Sequence, residues 1–176
     1  MPIQDLFELV DPLQMKCVRE SVERVREHAG IVLPEDYVQI GLCYGDGEFH
    51  GGGMRIHYFD PTADGYKEFV MAELDGWIDQ CSALDVTDLT FYPADGGILP
   101  MGRFDNGTRL AFVCSGTPSE WTIMVIETLE EDRMQLDFNA CDYLIRVLRG
   151  EFRPDYMPDD GEENVTFMKY PDDWMR

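Results

Sequence analysis

The chain has 176 residues, 44% of them apolar, which is enough for one domain with a full core and too much for a disordered segment. Thirty-five acidic residues against fourteen basic ones give a net charge of −21. Such a field repels phosphate backbones and anionic lipid, so neither nucleic acid nor a membrane is an expected partner, and a basic protein partner or plain solubility is the better reading.

The first strong helix signal begins at Asp11, a capping residue, with Pro12 suited to the first helical position and Gln14 three residues after the cap. Val10 and Met15 stand at the hydrophobic-staple positions. Met15, Val18, Val22, Val25 and Ala29 recur at spacings of three and four before Gly30 stops the helix. A shorter helix is expected from Leu33-Pro34-Glu35-Asp36-Tyr37, where Pro34 and two acids suit a first turn and Tyr37, Ile40 and Tyr44 share a face. Gly45-Asp46-Gly47 breaks it, and after Gly51–Gly53 an extended stretch is expected over roughly Gly53–Phe59.

Helical spacing returns over residues 64–82, with Tyr66, Phe69, Val70, Leu74, Trp77, Ile78 and Cys81 on one stripe and a weak point at Gly76. The clearest strand signal is Ile98–Phe104 and Arg109–Cys114, joined by Asp105-Asn106-Gly107-Thr108. Asn-Gly at the centre predicts a type I′ hairpin with both residues at positive φ. Trp121–Glu127 reads as a third strand, and the apolar character of both strand faces predicts helices on one side and partial cover on the other. In the last helix Asn139 caps, Phe138 and Tyr143 make the staple, Cys141, Leu144, Ile145 and Leu148 form the stripe, and Gly150 stops it. Residues 1–152 are thus the expected domain and 153–176 an acidic C-terminal extension, pinned to the body by Phe167, Tyr170 and Trp174.

The chemistry-bearing residues are sparse in pattern. The five cysteines, Cys17, Cys43, Cys81, Cys114 and Cys141, are odd in number, widely spaced and set in apolar surroundings. They are expected to act as small hydrophobes, not as a disulfide framework or a zinc site. His28 falls in the last turn of the first helix, where a cation suits the dipole. His50 and His57 are seven apart, which an unbent strand would place on opposite faces, so they are poor metal co-ligands unless the glycines bend the chain. There is no HExxH, GxSxG, P-loop, GxGxxG or complete calcium loop, so no catalytic residue, metal or cofactor is expected. Phe49, Tyr58 and Phe59 could frame a pocket, with the core the preferred place for them. No apolar run approaches the ~18–20 residues that span a bilayer. The opening MPIQDLFELVDP lacks a basic n-region and a small-residue cleavage site, so a cytoplasmic location is expected.

Leu33-Pro34-Glu35-Asp36-Tyr37, followed by an apolar turn and Tyr44-Gly45-Asp46-Gly47-Glu48-Phe49, resembles the opening motif of the SUKH superfamily, in the branch named for fungal cell-wall assembly regulators. Ile98-Leu99-Pro100-Met101-Gly102, the hairpin after it and the terminal helix are similar as well, over roughly residues 11–150. The resemblance implies an α+β fold, a mixed or antiparallel sheet with N-terminal and C-terminal helices packed against it. It also implies a cytoplasmic, non-catalytic immunity protein that neutralises a cognate polymorphic or contact-dependent toxin, often a nuclease. A nuclease is basic where it holds phosphate, and an acidic inhibitor would meet it quickly. The candidate contacts are Asp46 and Glu48 in the glycine turn and Asp105 at the hairpin tip. The alternatives are a small-molecule-binding or hydrolytic domain using the Gly51–Tyr58 region with His50 or His57, and a regulatory protein-interaction scaffold.

Overall fold

The computed structural model describes residues 3–13, 19–52, 54–129, 132–152 and 164–170. In chain order the elements are α1 (Ile3–Phe7), α2 (Arg19–Ala29), α3 (Glu35–Tyr44), β1 (Gly47–Gly51), β2 (Met54–Tyr58), α4 (Tyr66–Ala83), β3 (Gly97–Phe104), β4 (Arg109–Cys114), β5 (Thr122–Ile126), β6 (Arg133–Leu136), α5 (Ala140–Leu148) and β7 (Thr166–Lys169). The strands form one sheet in the order β6-β5-β4-β3-β2-β1-β7, antiparallel at every pairing. Strands β1 to β6 follow one another as a meander, and β7 adds to the free edge of β1. The α+β class is the one expected.

The expected helix start at Asp11 and Pro12 is not found, since residues 11–13 are not helical and α2 begins at Arg19, but other boundaries obey their local signals. Val22 and Ala29 of α2 are buried and Val25 packs on the core; the expected staple residue Met15 lies outside the described residues. Pro34 caps α3 from just outside it, and the Gly45 N–H closes the other end on the Gly41 carbonyl at 2.8 Å. In α5 the Asn139 Oδ1 accepts from the Asp142 N–H at 2.8 Å. Phe138 and Tyr143 do not close a staple in isolation; each packs on Phe152, at 6.2 and 5.9 Å between centroids. Helix α4 runs unbroken through Gly76, an exposed position with nothing near its Cα, because the buried stripe Tyr66, Val70, Leu74, Trp77 and Cys81 outweighs one glycine.

Four expectations need correction. The β3–β4 turn is not type I′: Gly107 has φ +88°, but Asn106 is not at positive φ. Phe104 N–H donates to the Thr108 carbonyl at 2.8 Å and Gly107 N–H to the Phe104 carbonyl at 3.0 Å. Asp105–Gly107 is therefore a three-residue loop ending on a left-handed glycine. The Asn106 side chain holds it by accepting from Thr108 N–H at 3.0 Å, a local bond that asparagine favours. Second, the glycine-rich segment is not simply a break, because Gly47–Gly51 is itself a fully buried strand. Third, the C-terminal segment is pinned by Phe167 and Tyr170 as expected, but it also contributes β7 to the sheet; Trp174 lies outside the described residues. Fourth, Cys43 is disulfide-bonded, while Cys81, Cys114 and Cys141 are free and buried. Separation along the chain carries no information about which thiols folding brings together.

Neighbouring residues of each central strand face two different cores. Leu99, Leu110, Phe112, Ile123 and Val125 join α1, α2, α3 and α5 in the main core. Ile98, Ala111 and Ile126 meet Trp77 and Cys81 of α4 on the other face. Helix α4 stops short of β1 and β2. There the second face carries Glu48 opposite His57 and His50 opposite Arg55, while Phe49 and Ile56 point into the main core. The β1–β2 turn rests on α5, where a Cβ on Gly52, at φ +58°, would collide with the Val147 carbonyl.

At Gly47 a Cβ would collide with the Met168 carbonyl and the Phe167 ring. Gly47→Ala should therefore cost about 1–3 kcal/mol of stability and loosen β7. Urea unfolding and amide exchange at Thr166–Lys169 measure this, and wild-type protection there would contradict the β1–β7 pairing.

Candidate functional site

The site begins with a tyrosine. Tyr37 of α3 is fully buried, and its hydroxyl reaches the carbonyls of Phe59 and, at 3.0 Å, Met101. Phe59 N–H donates to the same Met101 carbonyl at 2.9 Å. These bonds set where the chain leaves β2 and turns through Asp60-Pro61-Thr62. Asp60 is only 5% exposed, and its carboxylate accepts from the Thr62 N–H and hydroxyl, each at 2.8 Å. Helix α3 can lie this close because residue 41 is glycine: a Cβ there would stand 2.6 Å from Asp60 Oδ1 and 2.9 Å from the Pro61 ring. Between this turn, the start of α4 and the end of β2 is a cavity of about 200 Å³. Asp46, His57, Phe59, Asp60 and Asp64 line it, with Tyr66 and Phe69 from α4.

Burial pushes the Asp60 carboxyl up to about 6; the Thr62 hydrogen bonds oppose this and the Asp46 charge adds to it. Burial also raises Asp46, against its bond from the Gly47 N–H, and Asp46 Oδ1 is buried with no hydrogen-bond partner. His57 is pulled down to about 4, first by burial and then by Arg103, with Glu48 opposing. His57 Nδ1 lies 3.1 Å from the Tyr170 hydroxyl, which donates to Glu48 Oε2 at 2.8 Å. The tyrosine proton is thus committed to Glu48, so neutral His57 carries its own proton on Nδ1. Glu48 Oε1 meets His50 Nε2 at 2.7 Å. The His57 and Tyr170 rings stack at 5.2 Å.

The three candidate contacts thus occupy different environments. Asp46 lines the cavity. Glu48 is not in a turn but inside β1, 7% exposed, with both oxygens engaged. Asp105 is exposed at the hairpin tip, 3.7 Å from Arg55 Nε. All three act on Tyr170, whose phenol is raised first by burial, then by Glu48, Asp46 and Asp105. The β1–β2 hairpin also brings His50 and His57 to one face, where an unbent strand would have separated them. Phe49 and Tyr58 belong to the core, while Phe59 is both buried and part of the cavity wall.

Sequence reading missed Asp60, Tyr66, Phe69 and Tyr170 as site residues. Asp60-Pro61-Thr62 did carry a signal, since an Asp that bonds the backbone two residues on is a turn signature. Tyr170 carried none, because its role depends on a strand pairing from the far end of the chain.

The lining offers carboxylates, aromatic faces and one neutral imidazole, and no serine, threonine or cysteine nucleophile. Among the described residues, no three His, Cys, Asp or Glu side chains are grouped so as to hold a metal ion. No described helix is long and apolar enough to cross a membrane. No family model matches the chain, and no curated protein or solved structure matches it either.

The cavity acids and His57 have opposed effects on stability. Asp60, raised from 3.8 to about 6, holds more protons folded than unfolded in that window, so its contribution falls as pH rises. His57, lowered from 6.5 to about 4, holds fewer protons folded than unfolded, so its contribution rises with pH. Asp60→Asn removes only the first. Between pH 4.5 and 6 the variant should gain stability relative to wild type, as read by urea unfolding at both pH values. An unchanged difference would mean that Asp60 titrates normally.

Proposed function

We propose that the chain is a non-catalytic, cytoplasmic immunity protein that holds and neutralises a cognate toxin domain, a basic nuclease. The observation that carries this reading is the charge of the folded surface. Arg26 pairs with Glu23, Arg55 with Asp105, Arg133 with Asp88, and Arg146 and Arg149 with Glu151. With these arginines matched by the chain's own acids, the net −21 is expressed as unbalanced carboxylates. Glu68, Asp75 and Asp79 of α4 are exposed and spaced seven and four apart, which puts them in one outer stripe. Asp85 and Asp95 of the following loop are exposed as well. A basic surface is steered to such a face, and complementarity of this kind acts mainly on encounter rate and partner choice. The resemblance of Leu33–Phe49 and Ile98–Gly102 to SUKH immunity proteins points the same way. Within this reading Asp46 and Asp105 reach the partner, and Glu48 acts by holding Tyr170.

A second reading rests on one observation. Asp60, raised to about 6, and neutral His57 line the same cavity, and a raised carboxyl and an imidazole in one cavity are groups that hydrolytic sites use.

Co-expression with the toxin domain encoded beside the gene should restore growth. The association rate of the purified pair should fall at least ~10-fold from 50 to 500 mM salt. Unabated killing by every neighbouring toxin would remove the proposal. Turnover separates the two readings: hydrolysis of a substrate by the wild type that a folded His50→Gln/His57→Gln chain loses would favour the catalytic one.

A further inference from the structure

We infer that the cavity between the end of β2 and the start of α4 receives the cationic end of a lysine or arginine side chain from the basic partner. This rests on the toxin-binding reading and names the point where the partner is gripped.

Four features of the cavity select this ligand. Asp46 lines the cavity and its Oδ1 is a buried acceptor without a donor, so the charge of this carboxylate is poorly compensated and a nearby cation stabilises it. Asp46 and Asp60 act on one another, so a cation between them relieves a repulsion. Phe59 and Phe69 stand edge to face at 4.9 Å in the wall, beside Tyr66, and aromatic faces attract ammonium and guanidinium groups. His57 is neutral and adds no opposing charge; the cation that acts on it is Arg103, and at the rim His28 already pairs with Asp64 at 3.4 Å.

Size and position agree. A volume of about 200 Å³ is smaller than the roughly 300–1,000 Å³ of sites built for whole small molecules, and suits the end of one long side chain. The cavity wall includes Tyr66 and Phe69 from the first turn of α4, the turn that also carries the exposed Glu68. An anion would be repelled by the lining carboxylates, and an apolar side chain would leave their charges uncompensated. An anchor side chain seated in a pocket and ringed by weaker contacts is the usual energetic centre of an interface.

The test uses amide NMR of the whole chain with three probes of similar shape: n-butylammonium, n-butylguanidinium and neutral n-butanol. The two cations should cause saturable shifts at residues 60–69 and n-butanol should not. In Asp46→Asn/Asp60→Asn both cations should bind at least ~10-fold more weakly. Asn at residue 60 keeps an acceptor for Thr62, and the single Asp46→Asn chain serves if the double variant does not fold. Equal response to n-butanol, or no response to the cations, overturns the inference. In co-expression the double variant should lose protection that the wild type provides. If both protect equally, the cavity is not the grip and the immunity reading still stands. If the wild type itself binds no toxin, both fall.

Discussion

The hydroxyl of Tyr37 is the interaction on which the rest of the structure depends. A phenol with no exposure must place its O–H on an acceptor, and here the acceptors are the backbone carbonyls of Phe59 and Met101. The ring is held edge-on by Phe112 at 5.0 Å and Tyr58 at 6.4 Å. One side chain of α3 therefore locks together the exit of β2 and the bulged middle of β3, where the register shifts between Pro100 and Gly102. The Asp60 turn follows directly from that lock, and the cavity follows from the turn. Gly41 on the same helix makes the approach close enough to bury Asp60.

The sheet has two unlike halves on its second face. Over β3, β4 and β5 the face is apolar and α4 covers it. Over β1 and β2 it is polar: Glu48 meets His50 directly and is joined to His57 through Tyr170. Burying a carboxylate such as Glu48 is costly unless its oxygens find donors. Tyr170 and His50 supply them. A satisfied buried network of this kind stiffens its surroundings, which makes it a positioning device for the neighbouring cavity. The edge strand β7 delivers Tyr170, and the same pairing covers the row of unpaired backbone groups that β1 would otherwise present.

Asp46 breaks the rule that Glu48 obeys. Its Oδ1 is buried and unpaired, two residues from a carboxylate that is fully satisfied. Violations of local satisfaction concentrate where a protein works, and the stability they cost is offset elsewhere. The offset here is a core that engages both faces of the central strands. The folded chain combines that two-sided core with a sequence in which acids outnumber bases by 35 to 14.

Amphipathic spacing alone determined α2, α3, α4 and α5, the β3–β4 hairpin and β5, because those signals lie within a few residues of one another and each buries its own stripe. Composition likewise fixed the net charge of −21, a sum over residues that no fold alters. Elements without an apolar stripe of their own were not legible: α1 is five residues long, β6 is mostly exposed, and β1 is rich in glycine. Asp46, Glu48 and Asp105 could be named as acids in or near turns, but not that one would face a cavity, one a tyrosine and one water. Only the tertiary structure decided that, along with the meeting of His57 and Tyr170 across 113 positions of chain and the bonding of Cys43. The reason is physical: burial and hydrogen-bond partners are set by which distant segments pack together, and local spacing holds no record of distances across the sheet.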